Sequence, residues 1–82
     1  MNRYFFHIRD GQTSLDETGS ECGSIEDVRI QALQMTGETL RHLGPKFWEH
    51  SSWTMWVTDG SGETVLTLQL MAKQPPLTER FP

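Results

Sequence analysis

The sequence predicts an α+β fold in which two β-hairpins flank one helix (ββαββ) and form a four-stranded sheet with the helix on one face. Three observations lead to this prediction. Segments on both sides of the chain's middle alternate apolar and polar residues with a period of two, which is typical of half-buried strands. Each of these segments runs into an Asp-Gly turn, at Asp10-Gly11 and at Asp59-Gly60. Between them, apolar residues recur at three- and four-residue spacing, the pattern of an amphipathic helix.

The first predicted hairpin begins with a strand over residues 3–9. Its alternation places Tyr4, Phe6 and Ile8 on one face and Arg3, Phe5, His7 and Arg9 on the other. After the turn at Asp10-Gly11, residues 12–16 form a weaker second strand with Leu15 as its only apolar anchor. Residues 17–23 are mostly polar and include two glycines, so they are predicted to form a loop.

The helix is predicted to begin after Ser24 and to end at Gly44-Pro45. The Ser24 hydroxyl can accept a hydrogen bond from the first turn, and glycine followed by proline is a common helix end. The apolar stripe consists of Ile25, Val28, Ala32, Met35, Thr36, Leu40 and Leu43. Gly37 in mid-helix costs roughly 1 kcal/mol against alanine, and it either allows close approach of a bulky neighbour or is simply tolerated.

The second hairpin is predicted over residues 53–58 and 63–70, after a connector at 46–52 in which Phe47 and Trp48 cap the edge of the core. Both possible orders of the two hairpins in the sheet satisfy the pattern. Residues 1–71 are predicted to form a single domain and residues 72–82 a flexible tail. The predicted core face of the sheet carries Tyr4, Phe6, Ile8, Leu15, Trp53, Met55, Val57, Leu66, Leu68 and Leu70.

Composition narrows the class of protein. The chain has 82 residues, a net charge of −4 and one cysteine, Cys22, which excludes an intrachain disulfide framework and a cysteine-based zinc finger. No apolar run approaches the roughly 20 residues of a membrane span. The N-terminus is charged too early to be a signal peptide, so a cytoplasmic protein without a membrane partner is expected.

The sheet face away from the helix is the first candidate site. It is predicted to carry Phe5, His7, Trp56 and Val65, and a contiguous apolar patch on a surface usually marks an interface. We therefore expect a small non-enzymatic interaction module that uses this face for homodimerisation or for a protein partner. Pairing at a sheet edge would serve the same end. The alternative is that the Phe47–Trp48 loop or the tail folds over these residues.

Two other functions use some of the same residues. Aromatic side chains flanked by Arg3 and Arg9 could stack the bases of a single-stranded nucleic acid. Against this, residues 10–27 hold six carboxylates and no lysine or arginine, where phosphates need a positive groove. Alternatively, Cys22 in a polar loop near the helix start could act as a thiol nucleophile or sensor, with His7 or His50 as its base.

Metal and cofactor sites are not expected. Glu38 and His42 lie four residues apart on one helix face, but structural zinc is held by four protein ligands. The acidic run at 10–27 lacks the fixed ligand spacing of an EF-hand loop.

The opening Arg3-Tyr4-Phe5-Phe6-His7-Ile8-Arg9-Asp10-Gly11 resembles that of a family of short uncharacterised bacterial proteins common in rhizobia. Asp16, Gly19 and Glu21 before the helix match the family pattern, as do Val57, Asp59 and Gly62 in the second hairpin. The resemblance covers about residues 3–70. It implies a domain of unknown function and supplies no catalytic or binding residue. Trp56, where a polar or charged residue is more usual, and the Pro-Pro tail depart from the pattern.

Overall fold

The computed structural model describes residues 1–73, which form one helix and a five-stranded antiparallel sheet. The α+β class and the single helix are therefore confirmed, whereas the predicted number of strands is one too low. The predicted tail lies outside the described residues from position 74 onwards. The strands are β1 (Asn2–Arg9), β2 (Thr13–Ser14), β3 (Ser20–Cys22), β4 (Ser52–Thr58) and β5 (Thr64–Met71), and the helix is α1 (Ile25–Leu43), followed by a 3-10 segment (Gly44–Glu49).

The sheet has the order β2-β1-β4-β5, so β1 and β4 are its central strands. The fifth strand, β3, comes from the segment that the sequence predicted as a loop. It pairs with the beginning of β1, from Asn2 to Tyr4, whereas β2 pairs with its end at Ile8 and Arg9. The registers show that β2 and β3 follow each other along one edge of β1, separated by a short loop at residues 15–19.

Both ends of α1 lie where the sequence placed them. The Ser24 hydroxyl accepts from the N–H of Asp27 at 3.2 Å, and the Asp27 carboxylate accepts from the N–H of Gly23 at 3.2 Å, which satisfies two N–H groups reciprocally. At the other end, Gly44 has a φ of 54° and donates its N–H to the Leu40 carbonyl. No helix among residues 1–73 is both long and apolar enough to cross a membrane.

The core lies between α1 and the central strands. Phe6, Trp53, Met55 and Val57 of the predicted core face are buried there, as expected. Leu15 and Leu70 are not, with exposed fractions of 62% and 42%, because Leu15 lies in the loop after β2 and Leu70 lies on the edge strand β5. The buried residues are Phe6, Cys22, Val28, Ala32, Trp53, Met55 and Val57.

The 3-10 segment after the helix contains the two aromatic residues that were predicted to cap the core edge. Phe47 does so, because it is half-buried and packs against the core cluster. Trp48 does not, because 65% of it is exposed to solvent.

Candidate interaction face

The open face of the sheet carries a continuous row of rings. His7 in β1 lies directly opposite Trp56 in β4, and Phe5 precedes His7 by two residues on the same strand. Since Phe6 and Val57 point into the core from the same two strands, strand alternation places this row on the side away from the helix. The structure thus brings together three of the predicted face residues, and we call Phe5, His7 and Trp56 the aromatic row.

The aromatic row is held in place by its own contacts. The ring centroids of Phe5 and His7 are 6.5 Å apart with nearly parallel planes, and those of His7 and Trp56 are 5.0 Å apart. The guanidinium of Arg9 lies 5.6 Å from the centroid of the Trp56 ring, within the range of a cation–π contact. All three ring residues are half-buried whereas Arg9 is exposed, so the row presents ordered rings with one cation at its end.

His7, which the sequence placed on the open face, is half-buried and hydrogen-bonded through both ring nitrogens. Its Nδ1 accepts the backbone N–H of Asp16 at 3.1 Å, and its Nε2 lies 2.9 Å from the Thr58 hydroxyl. Because Nδ1 accepts a hydrogen bond, the neutral ring in this arrangement carries its proton on Nε2 and donates it to Thr58. The imidazole therefore ties the aromatic row to the loop beside it.

That loop is built around the Asp16 carboxylate. One carboxylate oxygen accepts the N–H of Phe6 at 3.1 Å, and the other accepts those of Thr18 and Gly19 at 3.1 and 3.0 Å. Burial disfavours the charged carboxylate, but the N–H groups of Gly19, Phe6 and Thr18, followed by the nearby His7, outweigh it and lower the pKa of Asp16. Asp16 thus takes the place of a strand partner for β1 between β2 and β3.

Gly19 completes this loop beneath the aromatic row. Its φ is +76°, and a Cβ at this position would lie 2.8 Å from the Phe5 ring and 2.9 Å from the Arg3 side chain. The sequence placed Asp16 at the end of the predicted second strand and Gly19 in the predicted loop, and it singled out both only through the family pattern. An aspartate that binds N–H groups two and three residues further on is a known turn signal, and it could have indicated this structure.

The two arginines of the predicted site have different surroundings. Arg3 donates to the Thr18 carbonyl at 2.9 Å and lies 3.6 Å from the Glu21 carboxylate, so its charge is engaged at the β3 edge. Arg9 contacts the Thr13 hydroxyl at 3.3 Å besides stacking on Trp56. The pair therefore does not form the continuous positive groove that nucleic-acid phosphates require.

Val65 was predicted on the open face beside the rings of the aromatic row, but it packs against the core cluster instead. Val57 pairs with Leu66 and Thr58 with Thr64, so Val65 is the extra residue of a β-bulge. The bulge interrupts the alternation from which its face was predicted.

Cys22 lies in β3 with an exposed fraction of 4%, and not in a polar loop as predicted. Burial, followed by the negative charge of Asp27, raises the pKa of its thiol, which opposes the thiolate that a nucleophile needs. Cys22 pairs with Asn2 at the start of β1, whereas His50 lies against Gly11 beyond the end of that strand. The structure therefore does not bring Cys22 and His50 together.

No group of three or more histidine, cysteine, aspartate or glutamate side chains in the described part of the chain could hold a metal ion. Glu38 and His42 lie on the same helix without a third such ligand beside them.

The fold and its surface define a class: a small α+β domain with one helix, whose sheet exposes an ordered aromatic row on its other face. The family model of a domain of unknown function, DUF6894, matches residues 3–72. The chain belongs to this family, and the expectation of a family of unknown function is confirmed. Neither curated proteins nor solved structures gave a match to the chain.

Proposed function

We propose that the chain is a small non-enzymatic interaction module of the cytoplasm that binds a protein partner through its open sheet face. The observation that carries this proposal is the aromatic row, whose rings are half-buried against one another on the side of the sheet away from the helix. The partner is either another protein or a second copy of the chain, and the test below separates the two.

The composition of the open face supports a protein partner. Tryptophan, arginine and other aromatic residues are enriched at protein interfaces and supply much of their binding free energy. Trp56 stacked beneath Arg9 combines both types. Around them, Thr54, Thr58 and Thr67 place hydroxyl groups on the same face, which suits the polar rim of an interface.

The fixed geometry of the row adds to this support. A side chain that becomes ordered on binding costs roughly 0.5–1.5 kcal/mol of affinity, so rings that are already ordered avoid part of that cost. His7 is fixed by hydrogen bonds at both nitrogens and by a ring on each side. A partner that lies flat on the row would therefore meet a surface in its binding conformation.

The test compares wild type with Trp56→Ala, and Leu33→Ala serves as the matched control. Leu33 is 63% exposed on the helix, so its truncation removes a surface apolar group outside the open face. We expect a protein captured from native lysate to be retained by wild type and Leu33→Ala and to be lost with Trp56→Ala. Equal retention by all three proteins would contradict the proposal.

Light scattering on the same proteins identifies a second copy as the partner if the wild-type mass falls to that of a monomer in Trp56→Ala. The nucleic-acid alternative is tested separately. Salt-sensitive retention on a single-stranded oligonucleotide that is lost in Trp56→Ala would replace the protein partner with a nucleic acid.

A further inference from the structure

The outer edge of β5 is a second surface with a distinct chemistry. β5 (Thr64–Met71) pairs with β4 along one side, and no other strand within residues 1–73 lies along its opposite side. An unpaired strand edge presents a row of backbone N–H and C=O groups, which is a template for another strand.

The direction of these backbone groups follows from one hydrogen bond. The N–H of Ala72 donates to the Ser51 carbonyl at 2.9 Å, on the β4 side. Backbone groups point alternately to the two sides of a strand. The N–H and C=O groups of Thr67, Gln69 and Met71 therefore point away from β4, towards the unpaired side.

Among residues 1–73, the opposite edge of the sheet is protected and that of β5 is not. Proteins block sheet edges with short strands, charged residues, proline or bulges. At the other edge, β2 and β3 have two and three residues, and the Asp16 carboxylate occupies the N–H of Phe6 between them. β5 has eight residues without charge or proline, and its only irregularity is the bulge at its beginning.

Apolar surface adjoins this edge on the helix side. Leu70 is 42% and Trp48 65% exposed. They share a shallow groove of about 360 Å³, lined by Leu40, Gly44, Phe47, Trp48, Leu70 and Ala72. A strand added to β5 would extend the sheet beside this groove and cover part of it.

We propose that β5 pairs antiparallel with β5 of a second copy of the chain, which joins the two sheets into one. The charge of β5 permits this occupant. Although the chain carries a net charge of −4, β5 itself has no charged residue, so two β5 strands meet without like charges opposite one another.

The sequence of β5 is also compatible with itself under twofold symmetry. With Leu68 on the axis, Leu66 lies opposite Leu70 of the second copy on the helix side. In the same register, Thr67 lies opposite Gln69 on the open face. Every pair therefore matches apolar with apolar or polar with polar.

This pairing has a consequence for the aromatic row, although it does not depend on the function proposed for that row. The twofold axis of an antiparallel edge pair runs through the sheet, so both helices lie on one side and both open faces on the other. A dimer would present two aromatic rows side by side, and a partner with two matching sites would bind it with increased avidity.

The test measures amide hydrogen exchange of the full chain by NMR from low to high micromolar concentration. We expect the amides of Thr67, Gln69 and Met71 to exchange fast when dilute and to slow by about tenfold or more as concentration rises. The amides of Leu66 and Leu68, which point towards β4, are the internal control and stay protected throughout. Fast exchange of the outward amides at every concentration would overturn the proposal.

Protection that does not change with concentration in a protein that light scattering shows to be a monomer would also overturn it, because the edge would then be covered within one chain.

Light scattering gives an independent readout. We expect wild type to approach twice the monomer mass and Gln69→Pro to remain a monomer, since proline removes an outward N–H without removing a bond to β4. Gln69→Thr, which keeps the N–H, should still dimerise. A dimer that is lost in Trp56→Ala but kept in Gln69→Pro would assign self-association to the aromatic row instead.

Discussion

At the scale of single residues, Asp16 connects the loop at the sheet edge to the open face. Its carboxylate holds three backbone N–H groups, and its own N–H holds His7. One carboxylate therefore closes the loop at the sheet edge and orients the central ring of the aromatic row. His7 also hydrogen-bonds Thr58 of β4, so hydrogen bonds connect the edge loop to the open face of the sheet.

The pH dependence of stability follows from Asp16. Its pKa is lowered in the folded chain, so its contribution to stability is complete above the ordinary aspartate value of about 3.9. As the pH falls below that value towards the folded pKa, the carboxylate gains a proton and this stabilisation is lost. We expect Asp16→Asn to lower the free energy of unfolding at pH 7 by about 1–3 kcal/mol. The difference from wild type should shrink in urea titrations below about pH 4.

Glu17→Gln is the control for this experiment. Glu17 is exposed, lies next to Asp16 and accepts no hydrogen bond from the described residues, so its replacement should leave stability almost unchanged at every pH. Equal stability of Asp16→Asn and wild type at pH 7 would show that the carboxylate does not hold the loop.

At the scale of elements, we expect alanine to have opposite effects on stability at two glycines, one in the helix and one in the edge loop. The sequence left open whether Gly37 allows a close neighbour, but a Cβ at this position would meet no atom within 4 Å. Gly37→Ala should therefore raise the free energy of unfolding by about 0.5–1 kcal/mol, since alanine favours the helix. Gly19→Ala should lower it by at least about 1 kcal/mol, because φ is positive there and the Cβ would press on Phe5. Thermal unfolding of both variants checks the pair, and a destabilised Gly37→Ala would mean that the helix has a neighbour at that face.

Comparison of the predicted and observed elements shows which parts of the fold local sequence patterns can predict. The ends of α1 and the second hairpin were predictable because Ser24, Gly44 and the Asp59-Gly60 turn act through their immediate neighbours. β3 was missed because the pairing of Ser20–Cys22 with β1 goes together with the loop that Asp16 closes behind β2, and a local pattern does not reveal this loop. The burial of Cys22 follows from that pairing. The prediction that Val65 lies on the open face failed for a similar reason, since an alternating pattern does not reveal a bulge.

The candidate site also has features that the sequence predicted and features that it did not. Phe5, His7 and Trp56 were correctly placed on one face, since alternation gives the face of a residue in a strand without a bulge. That His7 lies directly opposite Trp56 was not predicted, because the order of the two hairpins was left open. The hydrogen bonds of His7 and the engagement of Arg3 were not foreseeable, because both depend on a loop contributed from outside the strands they serve.

At the scale of the whole molecule, the two sides of β4 should differ sharply in what they contribute to stability. Trp53 is 1% exposed between the sheet and the helix, whereas Trp56 is half-buried on the open face. Truncating a buried tryptophan to alanine costs about 3–5 kcal/mol, a large part of the roughly 5–15 kcal/mol that stabilises a natural domain. Since small domains belong near the lower end of that range, Trp53→Ala should retain at most about 2 kcal/mol and unfold at a much lower urea concentration than wild type.

Trp56→Ala should instead keep the fold, because it removes ring contacts with His7 and Arg9 and leaves the core cluster intact. An aromatic pair contributes about 0.5–1.5 kcal/mol beyond its buried area, so we expect a modest loss of stability. Circular dichroism during urea unfolding compares the two variants, and we expect the unfolding midpoint to fall much further for Trp53→Ala than for Trp56→Ala. If Trp56→Ala unfolds as readily as Trp53→Ala, the aromatic row belongs to the structural core, and the open face is then not available to a partner.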